Sequence, residues 1–259
     1  MNLTIYQVDA FTREVFKGNP AAVCPLAEWL DAGLMQKIAL ENNLSETAFF
    51  VRQGDVYELR WFTPTFEIDL CGHATLASAY VLFEILRANE KVLKFQTKSG
   101  LMTVEREGDL LALDFPSRPA TSCDIPEGLI AAIGKQPQEV LRSRDYLMVY
   151  ETEEEVRSLA PNFAEILKLD THAVIVTAKG GDSDFVSRFF APEVGVFEDP
   201  VTGSAHCALI PYWAEKLGKN EFFARQVSAR GGELFCELKG DRVRIGGHAV
   251  LYLKGEIYV

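Results

Sequence analysis

The residues of this chain with the most chemical potential gather at two glycine turns and one strand. The first turn is Leu70-Cys71-Gly72-His73-Ala74-Thr75, and the second is Pro200-Val201-Thr202-Gly203-Ser204-Ala205. Each is followed by a long apolar run with the character of a buried helix. Glycine lets a backbone come close to a ligand. The first turn of a helix offers free N–H groups and the positive end of its dipole. That combination suits a carboxylate or a phosphate, and two such turns suggest an anion gripped from two sides.

Glu46 lies in Leu44-Ser45-Glu46-Thr47-Ala48-Phe49, polar residues set in an apolar strand. By alternation it shares a face with Leu44 and Ala48 and points the apolar way. A half-buried carboxylate there is a general acid or base; the plain alternative is a surface glutamate on an edge strand. His73 can donate a proton, bind substrate or only cap its helix. Asp199 can hold a substrate amine or orient a proton carrier, or simply close a turn before Pro200. Thr202 and Ser204 are natural N-cap residues, a role compatible with ligand contact. Cys71, beside a helix N-terminus, is expected to have a lowered pKa and to be an alternative base or nucleophile. A two-thiol racemase needs a second cysteine where Thr202 stands. Cys207 falls inside the second helix and reads as core. His206 and Cys207 point to different sides of that helix, which makes a poor metal pair, and His172 and His248 read as structural. There is no dinucleotide fingerprint, P-loop, G-x-S-x-G elbow or H-E-x-x-H.

The elements that must position these groups are legible from periodicity and turn residues. Strands are expected at 3–9, 21–24, 44–51, 57–62, 93–97, 100–106, 110–115, 146–150, 173–178, 185–190, 225–229, 233–238, 242–246 and 249–258. Helices are expected at 31–42 (with Leu34, Ile38 and Leu40 on one side), 74–87, 126–133, 151–157 and 205–217. The halves repeat. Arg60-Trp61-Phe62-Thr63-Pro64 matches Arg188-Phe189-Phe190-Ala191-Pro192, and Gly72 and Gly203 lie 131 residues apart. Two similar domains with a pseudo-twofold relation follow, with the turns facing across an interdomain cleft. Both helices are apolar nearly all round, so each must be enclosed, as by a strongly bent sheet wrapped around it. Pro116-Ser117-Arg118-Pro119 marks the boundary, giving halves 1–115 and 116–259. The last strand, 249–259, is able to cross back and complete the first.

The chain has 259 residues, 48% of them hydrophobic and 24% charged, as in ordinary globular proteins. Its net charge of -11 argues against nucleic acid or an anionic membrane as partner. No apolar run is long enough to span a bilayer. With no basic and apolar leader and five scattered cysteines, the expectation is a cytoplasmic protein with reduced thiols. The absence of a CxxC pair argues against a structural zinc site.

Taken together, V-D-A-F-T, G-N-P-A-A-V-C, L-S-E-T-A-F, R-W-F-T-P, L-C-G-H-A-T, E-D-P-V-T-G-S-A and R-G-G-E-L resemble the PhzF-like family, relatives of the phenazine-biosynthesis isomerase, over essentially the whole length. The resemblance implies an α+β fold like that of diaminopimelate epimerase: two domains, each a bent or barrel-like sheet around a central helix. It implies that Glu46 is the acid/base group of a cofactor-free proton shift. It implies that His73, Asp199 and Ser204 surround the substrate, and that Gly72 and Gly203 give backbone donors to its carboxylate. It also implies a homodimer. The epimerase relatives use a cysteine pair; Thr202 at the second place argues against two-thiol chemistry.

The resulting expectation is a metal-free, cofactor-independent isomerase of a small carboxylated amino- or hydroxy-acid-like metabolite. Three other readings stay open: an epimerase or dehydratase using Cys71, a non-catalytic binding module, and, more remotely, a metal-dependent hydrolase.

Overall fold

One succession of strand pairings occurs twice along the chain. The computed structural model describes the backbone of residues 1–259 and every side chain except that of Val194. Contacts divide the chain into Met1–Asp114 with Ile245–Val259, and Phe115–Arg244.

In the first unit, β1 (Asn2–Ala10) is antiparallel to β2 (Asn19–Leu26), which runs parallel to β3 (Glu46–Gln53). β3 is antiparallel to β4 (Val56–Phe62), and β4 takes the short antiparallel β5 (Glu67–Ile68). β4 also runs parallel to β6 (Val92–Thr97), which is antiparallel to β7 (Gly100–Glu107), itself antiparallel to β8 (Leu110–Pro116). Helix α1 (Ala32–Asn42) precedes β3, and α2 (Gly72–Tyr80) lies between β5 and β6.

In the second unit, β9 (Thr121–Ser122) joins β10 (Glu139–Arg142), and the succession then recurs. β10 is antiparallel to β11 (Tyr146–Val149), β11 parallel to β12 (Val174–Lys179), and β12 antiparallel to β13 (Phe185–Ala191). β13 takes the short antiparallel β14 (Val196–Asp199) and runs parallel to β15 (Glu221–Gln226), which is antiparallel to β16 (Gly232–Lys239). Short helices α3 (Leu129–Ile133), α4 (Glu153–Ser158) and α5 (Phe163–Ile166) precede β12, and α6 (His206–Leu217) lies between β14 and β15. After β17 (Arg242–Gly247), β18 (Ala249–Tyr258) pairs antiparallel with β1 from Asn2 to Ala10.

Local chemistry explains the elements. The Asp31 carboxylate accepts from the Gly33 and Leu34 amides and caps α1. The core side of α1 is Met35, Ile38 and Ala39, one helical stripe. Leu40, expected on that side, lies about 100° or more around the helix from each of them and is 57% exposed. Residues 47–51 of β3 are buried on both faces, as befits a strand with a parallel neighbour. β3 starts at Glu46, so the expected alternation from Leu44 fails. Leu44 packs instead with the Phe49 cluster, on the face opposite Glu46.

The first strands and β18 all touch α2, and every residue from Gly72 to Ala79 is buried, so the sheet curls around this helix. The helix was expected to run over 74–87. It stops at Tyr80 and widens into a π-turn, Val81–Ile85. Arg87 then takes a left-handed conformation (φ 58°) and Ala88 N–H reaches back to Leu82 O, which closes the helix end. α6 is less enclosed than expected, since Tyr212 is half-buried and Glu215 and Lys216 face solvent. Pro211 inside α6 removes the N–H that would reach Cys207 O, and the Arg118 amide donates to that carbonyl at 2.8 Å instead. The strand expected at 225–229 is Glu221–Gln226, because the chain leaves the sheet once the Ser228 hydroxyl bonds Pro200 O. Among the described residues, no helix is long and apolar enough to cross a membrane.

Candidate active site

The first glycine turn meets the start of β3. Glu46 pairs through its backbone with Ala21 of β2, and its side chain is 12% exposed. His73 is the second residue of α2, fully enclosed except for a 6% exposed edge of its side chain. Its Nε2 lies 3.0 Å from Glu46 Oε2. The contact is off the line of a hydrogen bond, so both buried atoms lack a hydrogen-bond partner. On the other side of the ring, Nδ1 lies 3.6 Å from Cys71 Sγ. Glu46, Cys71 and His73 thus each offer a ligand-type atom within 4.8 Å of the others.

The electrostatics of the three groups are coupled. Burial pushes the Cys71 thiol up to about 11, helped by the Glu46 charge and opposed less strongly by His73 and the Ala74 amide. This reverses the expected lowering: the helix end is there, but desolvation of a thiolate outweighs its dipole. For His73, burial favours the neutral ring, yet the adjoining Cys71 sulfur and Glu46 carboxylate outweigh it and raise the pKa well above the ordinary value. Because Cys71 is a thiol at neutral pH, Glu46 is the counter-ion that holds the proton on the ring. Cys71 occupies the N-cap position of α2 in extended conformation without capping it by its side chain. Thr75 and Ser78 turn their hydroxyls back onto the carbonyls of Cys71 and Ala74, which satisfies them inside the enclosed helix.

The second turn is built differently at its start. Thr202 and Ser204, expected as caps, do not cap. Gly203–Ala205 is a single 3-10 turn, α6 begins at His206, and the Thr202 hydroxyl donates to the Asp199 carboxylate instead. Gln226, 1% exposed and not singled out by its sequence, ties the turn together. Its Oε1 accepts from the Thr202 amide at 2.8 Å, and its Nε2 donates to Asp199 O at 2.7 Å and Thr202 Oγ1 at 3.2 Å. His206 Nδ1 is 3.0 Å from Thr202 O, and burial lowers its pKa to about 4, so this ring is neutral. Each half therefore gathers its own set: Glu46, Cys71, Gly72 and His73 in one, Asp199, Thr202, Gly203 and Ser204 in the other.

Both turns are fastened by the same two ties. Arg60 forks onto Glu67 and Arg188 onto Glu198, each glutamate standing five residues before its glycine. The Ser99 hydroxyl donates to Asp69 O and the Ser228 hydroxyl to Pro200 O, each at 2.8 Å and each three residues before the glycine. The internal repeat was the signal that could have found these residues. His172 pairs with Asp145 at 3.0 Å, and His248 lies 2.9 Å from Arg13; neither belongs to the turns. All five cysteines are free thiols.

Comparison with known proteins agrees with this architecture. The family model described as phenazine biosynthesis-like protein matches residues 8–255. An uncharacterised isomerase of Pseudomonas aeruginosa is 54% identical over 259 residues, covering 100% of both chains. An uncharacterised isomerase of Halalkalibacterium halodurans is 52% identical over 262 residues, covering 99% of each. The crystal structure of a PhzF family protein from Enterococcus faecalis superposes with a TM-score of 0.98 at 50% identity, covering 100% of both chains. At the level of fold alone, a hydroxyproline epimerase from Agrobacterium vitis is similar, with a TM-score of 0.64 at 11% identity over 99% of this chain and 92% of that one. The chain therefore belongs to the phenazine biosynthesis-like protein family and is an isomerase with an epimerase-type α+β fold.

Proposed function

We propose that this isomerase moves a proton between carbons of a small carboxylated, amino- or hydroxy-acid-like metabolite, without a cofactor, using Glu46 as the acid/base group. The observation that carries the proposal is the Glu46–His73 contact: two buried polar atoms 3.0 Å apart, neither of them hydrogen-bonded. Buried polar atoms left in that state are costly unless a ligand completes them. A carboxylate beside a charged imidazole can take a proton from carbon and return it elsewhere, so the reaction needs no net proton source. The free amides at the start of α2 and its dipole stabilise the charge that spreads into the substrate carboxylate. Gly72 gives that carboxylate close access to the backbone, with Cys71 beside it. His73 serves as electrostatic partner and hydrogen-bond donor. Gly203, Thr202, Ser204 and Asp199 are proposed to bind the remainder of the substrate. Cys71, held as a thiol up to about 11, is poorly suited to be the base at neutral pH, which favours Glu46 over a thiol-based epimerase.

The test is proton exchange. The protein is incubated in deuterated buffer with a panel of small amino and hydroxy acids, including cyclic dienes, and deuterium uptake is read by mass spectrometry. Uptake that vanishes in Glu46→Gln supports the proposal. Uptake that survives there and dies in Cys71→Ala favours the thiol-based reading, and no uptake into any compound favours a binding module. The same proposal includes a cytoplasmic homodimer, which light scattering of the purified protein tests for assembly and fractionation of cells tests for location.

A further inference from the structure

We infer that Glu46, Cys71 and His73 form a binding site for a thiophilic divalent cation of the zinc type. Among the described residues, this is the one group of three such side chains whose ligand atoms all lie within 4.8 Å of one another. One of its three pairs is already spaced as such an ion requires. Tetrahedral zinc, with bonds of about 2.3 Å to sulfur and about 2.0–2.1 Å to nitrogen, sets sulfur and nitrogen ligands roughly 3.6 Å apart. Cys71 Sγ and His73 Nδ1 are 3.6 Å apart.

Glu46 meets the ring at its other nitrogen, Oε2 lying 3.0 Å from Nε2, so its side chain must rotate towards Nδ1 and Sγ to complete a three-ligand set at zinc distances. Two further features favour an ion here. Glu46 Oε2 is buried with no hydrogen-bond partner, so its ligation breaks no existing hydrogen bond, and at Nδ1 an ion replaces only the 3.6 Å contact with Cys71 Sγ. The donor set of thiolate, imidazole and carboxylate selects zinc over magnesium or calcium, which prefer oxygen alone. Three protein ligands leave a fourth position for water or for a small carboxylate.

A bound cation occupies the Glu46 carboxylate and so blocks proton transfer. This inhibitory consequence rests on the acid/base role proposed for Glu46; the binding itself does not.

The test uses the full chain, reduced, and the metal alone. The protein is dialysed against Zn²⁺ and the retained metal is measured by atomic emission, with affinity taken from calorimetry. Co²⁺ is then bound in its place and the thiolate-to-cobalt absorption band is recorded. The expected result is stoichiometric zinc and a cobalt–thiolate band in the wild type. Cys71→Ser abolishes the band, and Cys71→Ser, His73→Asn and Glu46→Gln each weaken zinc by at least about tenfold, the lower end of what losing even an outer partner of a metal site costs. Cys123→Ser, which alters the one thiol that is not buried, leaves zinc binding unchanged. No retained zinc, no cobalt–thiolate band in the wild type, or loss of binding in Cys123→Ser instead of Cys71→Ser overturns the inference. The wild-type band decides the matter even where a variant folds poorly.

Discussion

Arg60 and Glu67 meet as a two-pronged fork, Nε to Oε1 at 2.7 Å and Nη2 to Oε2 at 2.9 Å. Arg188 and Glu198 make the same fork at the same two distances in the other half. Each arginine also lies over the aromatic ring two residues on, Phe62 at 5.2 Å and Phe190 at 4.9 Å. A bidentate pair fixes orientation as well as distance. The forks fasten β5 and β14 to their neighbours, and these are the strands that deliver the chain into Gly72 and Gly203.

The two forks differ in how much else depends on them. Arg188 is 11% exposed, and its Nη1 also donates to the carbonyls of Val156 and Leu159 at the end of α4. Arg60 is 26% exposed, and among the described residues its hydrogen bonds go to Glu67. Arg188→Ala is expected to cost about 3 kcal/mol, the low end for breaking a buried pair. Arg60→Ala is expected to cost about 1–2 kcal/mol. Urea unfolding of both variants checks the order; an Arg60 variant as damaged as the Arg188 variant contradicts it.

Acid should weaken the first fork in a defined window. The hydrogen bonds from Arg60 hold the Glu67 carboxyl below its ordinary value of 4.5, against the opposing effect of burial. A lowered folded-state pKa contributes stability above the unfolded value and loses it as pH falls through the folded one. The wild type should therefore be more stable than Glu67→Gln at pH 7, and the gap should narrow as pH falls below about 4.5. A gap that stays constant down to pH 3 refutes this.

The two helix-start histidines should titrate in opposite directions. His73 has its pKa raised well above 6.5, and His206 has its pKa lowered to about 4. For His73 the stabilisation is complete below pH 6.5 and is lost as pH rises through the folded pKa. For His206 stability falls as pH drops from 6.5 towards 4, because the unfolded chain takes up the proton first. Imidazole NMR at pH 7 should find His73 charged and His206 neutral. Finding both rings neutral removes the charge pairing assigned to Glu46 and His73.

Replacing the base should cost far more than replacing the thiol. Loss of a positioned acid/base group typically costs about 10²–10⁴-fold, so Glu46→Gln should slow exchange into a responsive substrate by that much. Cys71→Ser keeps a small polar group at the N-cap position and should cost less than about tenfold, the sign that it is not the proton carrier. Rates of deuterium uptake for the two variants, side by side, give the comparison.

Patterns in the sequence carried the local architecture a long way. The R-x-F-x-P repeat, the two glycine turns and the apolar runs behind them depend on short-range chemistry: turn residues, periodicity and the small size of glycine and alanine. Glu46 and His73 were each conspicuous for their setting, 27 residues apart in the chain. Their approach to 3.0 Å, and the lack of a hydrogen bond between them, arise from how β3 meets α2.

Other features belong to tertiary structure alone. Glu67 and Glu198 lie outside the strands expected from the sequence, and their role shows only when an arginine from the neighbouring strand reaches them. Thr202 has the right type for a cap, yet its hydroxyl goes to Asp199, while Gln226, from β15, takes the Thr202 amide. Cys71 stands at a helix start, which the sequence reads as a lowered pKa, but the enclosing sheet strips its solvent and the balance reverses. The last strand had no sequence mark to choose its neighbour, and its pairing with β1 is fixed by hydrogen bonds across nearly the full length of the chain. The sequence by itself determined most of the longer elements and their repetition, because these follow from neighbours along the chain. The tertiary structure decided partners, burial and protonation, because those depend on which distant groups take water's place around each side chain.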